Sequence, residues 1–132
     1  MTDRAGVPIG IATDAADVSE VHLGPAALAD ISVRVPWGVP VVADRAYDSD
    51  PLREDLAADG FTLVARHRRN RVRPPTADGR RRRRVRRRWV IERTFAWLHS
   101  FRRVVTRFER DIGRYDGFVR LACAFIALNK LL

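Results

Sequence analysis

At 132 residues the chain can bury one core and is too short for two full domains. A formal net charge of +9 favours a polyanionic partner, and a single cysteine excludes an internal disulfide and suits a reducing compartment. No signal-type N-terminus and no apolar run near the ~20 residues of a bilayer span is present, so a soluble, cytoplasmic protein without a membrane partner is expected.

The charge is unevenly placed. Residues 1–65 hold four Arg against eleven Asp and Glu, whereas residues 66–132 hold twenty Arg and one Lys against five acids. A polyanion should therefore dock on the second half. The guanidinium groups that dominate there suit bidentate contact with phosphate.

In chain order, Asp3-Arg4-Ala5-Gly6 reads as a turn leading into a strand at Val7–Ala12, entered from a hairpin whose first arm is nearly absent. Apolar Val18, Val21, Leu28 and Ile31 then recur at helical spacing over Asp17–Ile31, with a break or restart expected at Pro25. Trp37–Ala43 predicts a short buried strand that ends on Asp44. Ser49 or Asp50 caps a helix with Pro51 near its first position, and Gly60 ends it. Phe61–Ala65 is the next strand. Alternating strands and helices imply an α/β sheet.

Residues 66–79 hold five Arg, two Pro and Asp78-Gly79, and read as an exposed basic loop. A long helix is predicted from about Arg80 to about Arg107, with Ile91, Phe95, Leu98, Phe101 and Val105 as its core stripe. Gly113 marks a break. A last helix from Tyr115, apolar nearly all round, should bury Phe118, Leu121, Phe125, Leu128 and Leu132. Cys123 lies in this apolar setting and reads as core.

Two carboxylates stand out. Glu92 shares its helix direction with Val85, Arg88, His99 and Arg103, beside the apolar stripe and facing a basic rim. On pattern alone the plainer reading is a surface residue paired with Arg88 one turn earlier. Asp44 stands at the carboxyl end of a strand, where open α/β sheets place ligands, but a turn or cap residue would look the same. His22, His67 and His99 sit on separate elements without cysteine partners, which argues against structural zinc. No glycine-rich phosphate loop or nucleophile elbow is present.

Taken together, these segments resemble a known family. Ala43-Asp44-Arg45-Ala46-Tyr47-Asp48-Ser49 resembles the second acidic motif of bacterial insertion-sequence transposases of the DDE superfamily, and Arg87-Arg88-Trp89-Val90-Ile91-Glu92-Arg93-Thr94-Phe95-Ala96-Trp97-Leu98 resembles the third. The tail from Phe101 to Cys123 is similar to the insertion-sequence-five group. The resemblance runs over essentially the whole chain.

It implies a ribonuclease-H-like mixed sheet flanked by helices, whose carboxylates hold two divalent ions, Mg²⁺ or Mn²⁺, for DNA strand cleavage and transfer. Asp44 and Glu92 would be the second and third metal ligands and catalytic residues. Arg88 would hold DNA phosphate, with Arg87, Arg93, His99, Arg103 and Tyr47 as further DNA contacts.

Three departures matter. Val85 stands where the family often has Tyr, and His99 where it often has Lys. The family's first Asp lies on a strand ahead of the opening hairpin. Asp3 and Asp14 are the nearest candidates here, yet Asp3 reads as a turn residue and Asp14 follows the wrong strand.

The expectation is thus an incomplete catalytic domain: a sheet-forming part at 1–65, a basic loop at 66–79 and C-terminal helices at 80–132, with the first catalytic strand missing. Alone it should cleave little or no DNA. Its partners would be terminal inverted repeats in the bacterial nucleoid, an upstream transposase segment and, through an open sheet edge, a second copy. The competing class is a non-catalytic basic nucleic-acid binder, which needs no carboxylate. A purely structural helical module would leave the Arg cluster unexplained.

Overall fold

A computed structural model describes residues 1–15, 20–75 and 86–132. The elements are α1 (Glu20–Ala29), β1 (Val39–Ala43), a 3-10 turn (Arg45–Tyr47), α2 (Asp50–Ala58) and β2 (Phe61–Ala65). A second 3-10 turn (Arg86–Arg88) is followed by α3 (Trp89–Leu98), the single-turn α4 (Arg102–Val105) and α5 (Ile112–Leu131). They form two compact units, Arg34–Arg88 and Met1–Val33 with Trp89–Leu132.

The Arg34–Arg88 unit is a strand–helix–strand unit. β1 and β2 pair in parallel, from Val39 opposite Phe61 to Ala43 opposite Ala65. A parallel pair cannot be joined by a tight turn, and α2 supplies the crossover. Ser49 caps α2 by accepting from the Leu52 amide at 3.4 Å, with Pro51 at the start of the helix, as expected from the sequence. Leu56 of α2 and Val41, Leu63, Val64 and Ala65 of the strands form the core. Gly60 takes φ +82 at the α2–β2 corner, a conformation that disfavours any side chain.

In the other unit, α5 buries Val119, Ala122, Cys123 and Ile126. It packs against α3 and α4. The segment after the first turn lies against α1. A Cβ at Gly10 would stand 2.2 Å from the Ala27 carbonyl oxygen, so only glycine fits there.

Several expectations are corrected. The opening hairpin reduces to one antiparallel bridge, Thr2 to Pro8, and Val7–Ala12 forms no strand. Asp3 is indeed its turn residue, accepting from the Ala5 and Val7 amides at 2.8 Å each. The described sheet accordingly has two strands rather than three. α1 runs unbroken through Pro25, which simply donates no backbone hydrogen bond.

The predicted long helix ends at Leu98. There the Ser100 hydroxyl donates to the Trp97 carbonyl at 2.6 Å, a local bond that competes with helix continuation. Its buried residues are Val90 and Thr94, whereas Phe95 and Val105 are 54% and 55% exposed. The buried face is set by the N-terminal turn, which lands on Arg93 and Thr94, a long-range contact that periodicity cannot foresee.

Gly113 lies within the first turn of α5 rather than at a break, because Asp111 caps that helix by accepting from the Arg114 amide at 2.8 Å. Leu121, Phe125, Leu128 and Leu132 are exposed rather than buried. An all-apolar helix gives no sequence signal for which face packs. Val18, Val85, Asp78, Gly79 and the start of the predicted long helix lie outside the described residues.

Candidate catalytic and nucleic-acid-binding site

Asp44 follows the last residue of β1. It caps the 3-10 turn, its Oδ1 accepting from the Arg45 amide, and its side chain remains 53% exposed. Arg88 meets it as a fork, Nη1 to Oδ1 at 3.0 Å and Nη2 to Oδ2 at 3.2 Å. The parallel register places Arg66 at the corresponding position after β2, since Ala43 pairs with Ala65. A carboxylate and two guanidinium-bearing positions thus share the carboxyl edge of the strand pair. Tyr47 ends the 3-10 turn, and Arg87 is exposed beside Arg88.

Asp48, four residues on, was not singled out by sequence reasoning. Its side chain is only 2% exposed. Oδ1 accepts from Arg53 Nη2 at 2.6 Å and meets His67 Nδ1 at 3.0 Å, with Arg71 Nη1 at 3.4 Å. Oδ2 accepts from the Arg68 amide at 2.6 Å. Burial opposes its ionisation, but the Arg68 amide, His67 and Arg53 outweigh it and hold the carboxyl well below the ordinary range. Asp50 binds Arg53 at 3.0 Å and Arg71 at 2.9 Å, and its carboxyl is also lowered, chiefly by Arg71. The only sequence signal was an acid pair beside Tyr47 with a basic loop some twenty residues later.

Glu92 belongs to the other unit and is exposed on α3. Thr94, 200° away at 100° per residue, is 2% exposed and donates to the Gly6 carbonyl at 2.8 Å. Pinning that face inward turns Glu92, Ala96 and His99 outward. Arg88 is engaged by Asp44, so a Glu92–Arg88 pair is not what holds that guanidinium.

Two further predicted contacts are committed to protein groups. Arg93 donates to the Ala5 carbonyl at 2.6 Å and lies over Trp89 and Trp97, 4.7 and 4.8 Å from the ring centroids. Arg103 pairs with Glu109 at 2.7 Å and covers Phe108 and Phe118.

Asp44 and Glu92 offer hard oxygen donors of the type that Mg²⁺ and Mn²⁺ prefer. Among the described residues, however, no three His, Cys, Asp or Glu side chains converge as a ready cage. The oxygen donors of Asp44 and Glu92 fit a divalent ion.

An α/β unit with an exposed aspartate at its carboxyl edge, followed in sequence by a helix that is entered from Arg87 and Arg88 and bears an exposed glutamate, defines a candidate phosphodiester-processing protein. Residues 1–127 match the family described as Transposase DDE domain, and the chain belongs to it. Members of that family work with divalent metal ions. The chain is 37% identical over 138 aligned positions to the transposase assigned to insertion sequence element IS402 of Burkholderia cepacia, covering 99% of this chain and 62% of that protein. It is 39% identical over 91 positions to the transposase assigned to IS6501 of Brucella ovis, covering 67% of each. The chain thus spans about two thirds of the length of these relatives. No solved structure matches it. Among the described residues no helix is long and apolar enough to cross a membrane.

Proposed function

We propose that this chain is the catalytic C-terminal portion of an insertion-sequence transposase, built on a ribonuclease-H-like sheet, which binds element DNA and contributes to metal-dependent strand cleavage and transfer. The observation that carries this reading is Asp44, an exposed carboxylate at the carboxyl edge of a parallel strand pair, clasped by the arginine that precedes α3.

Asp44 and Glu92 would hold Mg²⁺ or Mn²⁺, and such ions supply neutralisation of charge on the reacting phosphate. Arg88 presents the same planar fork to a carboxylate and to a phosphate, so it can exchange Asp44 for DNA. Exposed Arg87 and His99, together with Tyr47 and Arg103, are further DNA contacts on this reading. Arg93 acts by holding the N-terminal turn on α3. With two of the three family carboxylates, the chain alone cleaves little DNA. An upstream transposase segment supplies the first Asp, self-association brings a second copy, and the terminal inverted repeats in the bacterial nucleoid are the substrate.

The test is DNA affinity of the purified chain with and without Mg²⁺ or Mn²⁺, compared with Asp44→Ala and Glu92→Ala. Metal should change the affinity of the original chain and leave both variants unmoved. An identical metal response in all three refutes the assignment. The basic second half, twenty Arg and one Lys against five acids, also suits a second reading, a non-catalytic nucleic-acid binder. Affinity that ignores metal and tracks salt alone would select it. Nicking of terminal-repeat DNA by the isolated chain would refute the expected inactivity.

A further inference from the structure

The loop after β2 has an anchoring system that the proposed chemistry does not use. Asp48 takes the Arg68 amide, His67 and Arg71, and Arg68 Nη2 also donates to the Ala46 carbonyl at 2.8 Å. Asp50 adds Arg71 at 2.9 Å and Arg73 at 3.3 Å. Residues 67–73 are thereby tied to the segment that begins at Asp44. A buried carboxylate is costly unless its bonds are satisfied, and here at least three donors satisfy it. That expenditure fixes a loop with no regular structure of its own.

The fixed loop is basic on its outer side. Asp48 and Asp50 neutralise part of Arg53, Arg71 and Arg73. Arg66 and Arg69 are exposed and have no carboxylate partner among the described residues. Arg66 is also the residue placed level with Asp44 by the strand register.

We propose that residues 66–73 form a phosphate-contacting arm in which Arg66 and Arg69 reach the nucleic-acid backbone and Asp48 is the positioning residue that holds the arm in place. This rests on the reading of the protein as a DNA-binding transposase. A preformed arm binds without the ordering cost that a loose loop would incur.

The sign of the Asp48→Asn effect separates positioning from simple electrostatics. The substitution raises the net charge by one, so charge alone predicts tighter DNA binding. Positioning predicts weaker binding, together with faster amide exchange across residues 66–73. The experiment measures duplex affinity by fluorescence anisotropy without metal, from about 50 to 200 mM salt, for the full chain, Asp48→Asn and Arg66→Ala/Arg69→Ala.

Loss of two phosphate contacts should make the log–log salt slope shallower by about 1.8, so that this salt increase weakens binding roughly 12-fold less. The double variant alters only exposed side chains and keeps the test valid should Asp48→Asn unfold. An unchanged slope in the double variant, or a folded Asp48→Asn protein that binds as tightly as the original, overturns the proposal while DNA binding itself stands. Failure of the unsubstituted chain to bind DNA would instead overturn the underlying functional reading.

Discussion

Replacing Thr94 by Val tests how the glutamate-bearing helix is held. The two side chains have nearly the same shape, so no cavity opens, but the hydroxyl that donates to the Gly6 carbonyl at 2.8 Å is lost. Gly6 is buried, and its carbonyl would be left without that donor. An unmade bond to a buried acceptor costs about 1–3 kcal/mol.

With about 2.1 cal/mol/K of unfolding entropy per residue, a 132-residue chain loses roughly 3.6 °C in Tm per kcal/mol, giving a shift of about 4–11 °C. Thr94→Ser keeps the donor and sacrifices one methyl, worth about 0.8 kcal/mol. The assay is thermal unfolding followed by far-UV circular dichroism and by the fluorescence of Trp89 and Trp97, which flank the pinned face. A Thr94→Val protein as stable as the original, or a Thr94→Ser protein less stable than Thr94→Val, would refute the reasoning.

Three further outcomes are expected. Arg88→Gln should cost under about 1 kcal/mol in stability, because both partners of the Asp44 pair are substantially exposed, yet it should strengthen Mn²⁺ binding in calorimetric titration by freeing Asp44; unchanged or weaker binding counts against the exchange. Gly60→Ala should cost about 1–2 kcal/mol in urea unfolding from φ +82 alone. Its new methyl would also displace the Trp37 ring, whose nearest atom would lie 2.5 Å away, and so alter Trp fluorescence. The lowered Asp48 carboxyl contributes stability fully above its ordinary value of 3.8 and loses it as pH falls toward its depressed folded value. Asp48→Asn should therefore flatten the stability profile below about pH 4, and an unchanged acid limb would contradict the sign.

What the sequence made legible was whatever depends on local chemistry. Phe61–Ala65, the Ser49 cap and a strand ending at Ala43 followed from short apolar runs, Pro51 and Gly60, although that strand begins at Val39 rather than at the exposed Trp37. Asp44 was placed correctly at a strand end because the apolar run stops there. What escaped depends on contacts between distant residues. Thr94 looks polar in sequence, yet it is buried because Gly6 needs its hydroxyl. Phe95 and Phe125 look like core, yet they are exposed, because Thr94 and the small Ala122 and Cys123 occupy the packed faces. Asp48 was invisible as an anchor because its donors come from positions 53, 67, 68 and 71 and gather only when β2 returns beside β1.

The contact of Gly10 with α1 has a consequence for mutational tolerance. The obstructing atom is a main-chain oxygen, which no rotamer change can move aside. In a saturation library screened for folded protein, position 10 should retain glycine alone, and even alanine should vanish in the first round of selection.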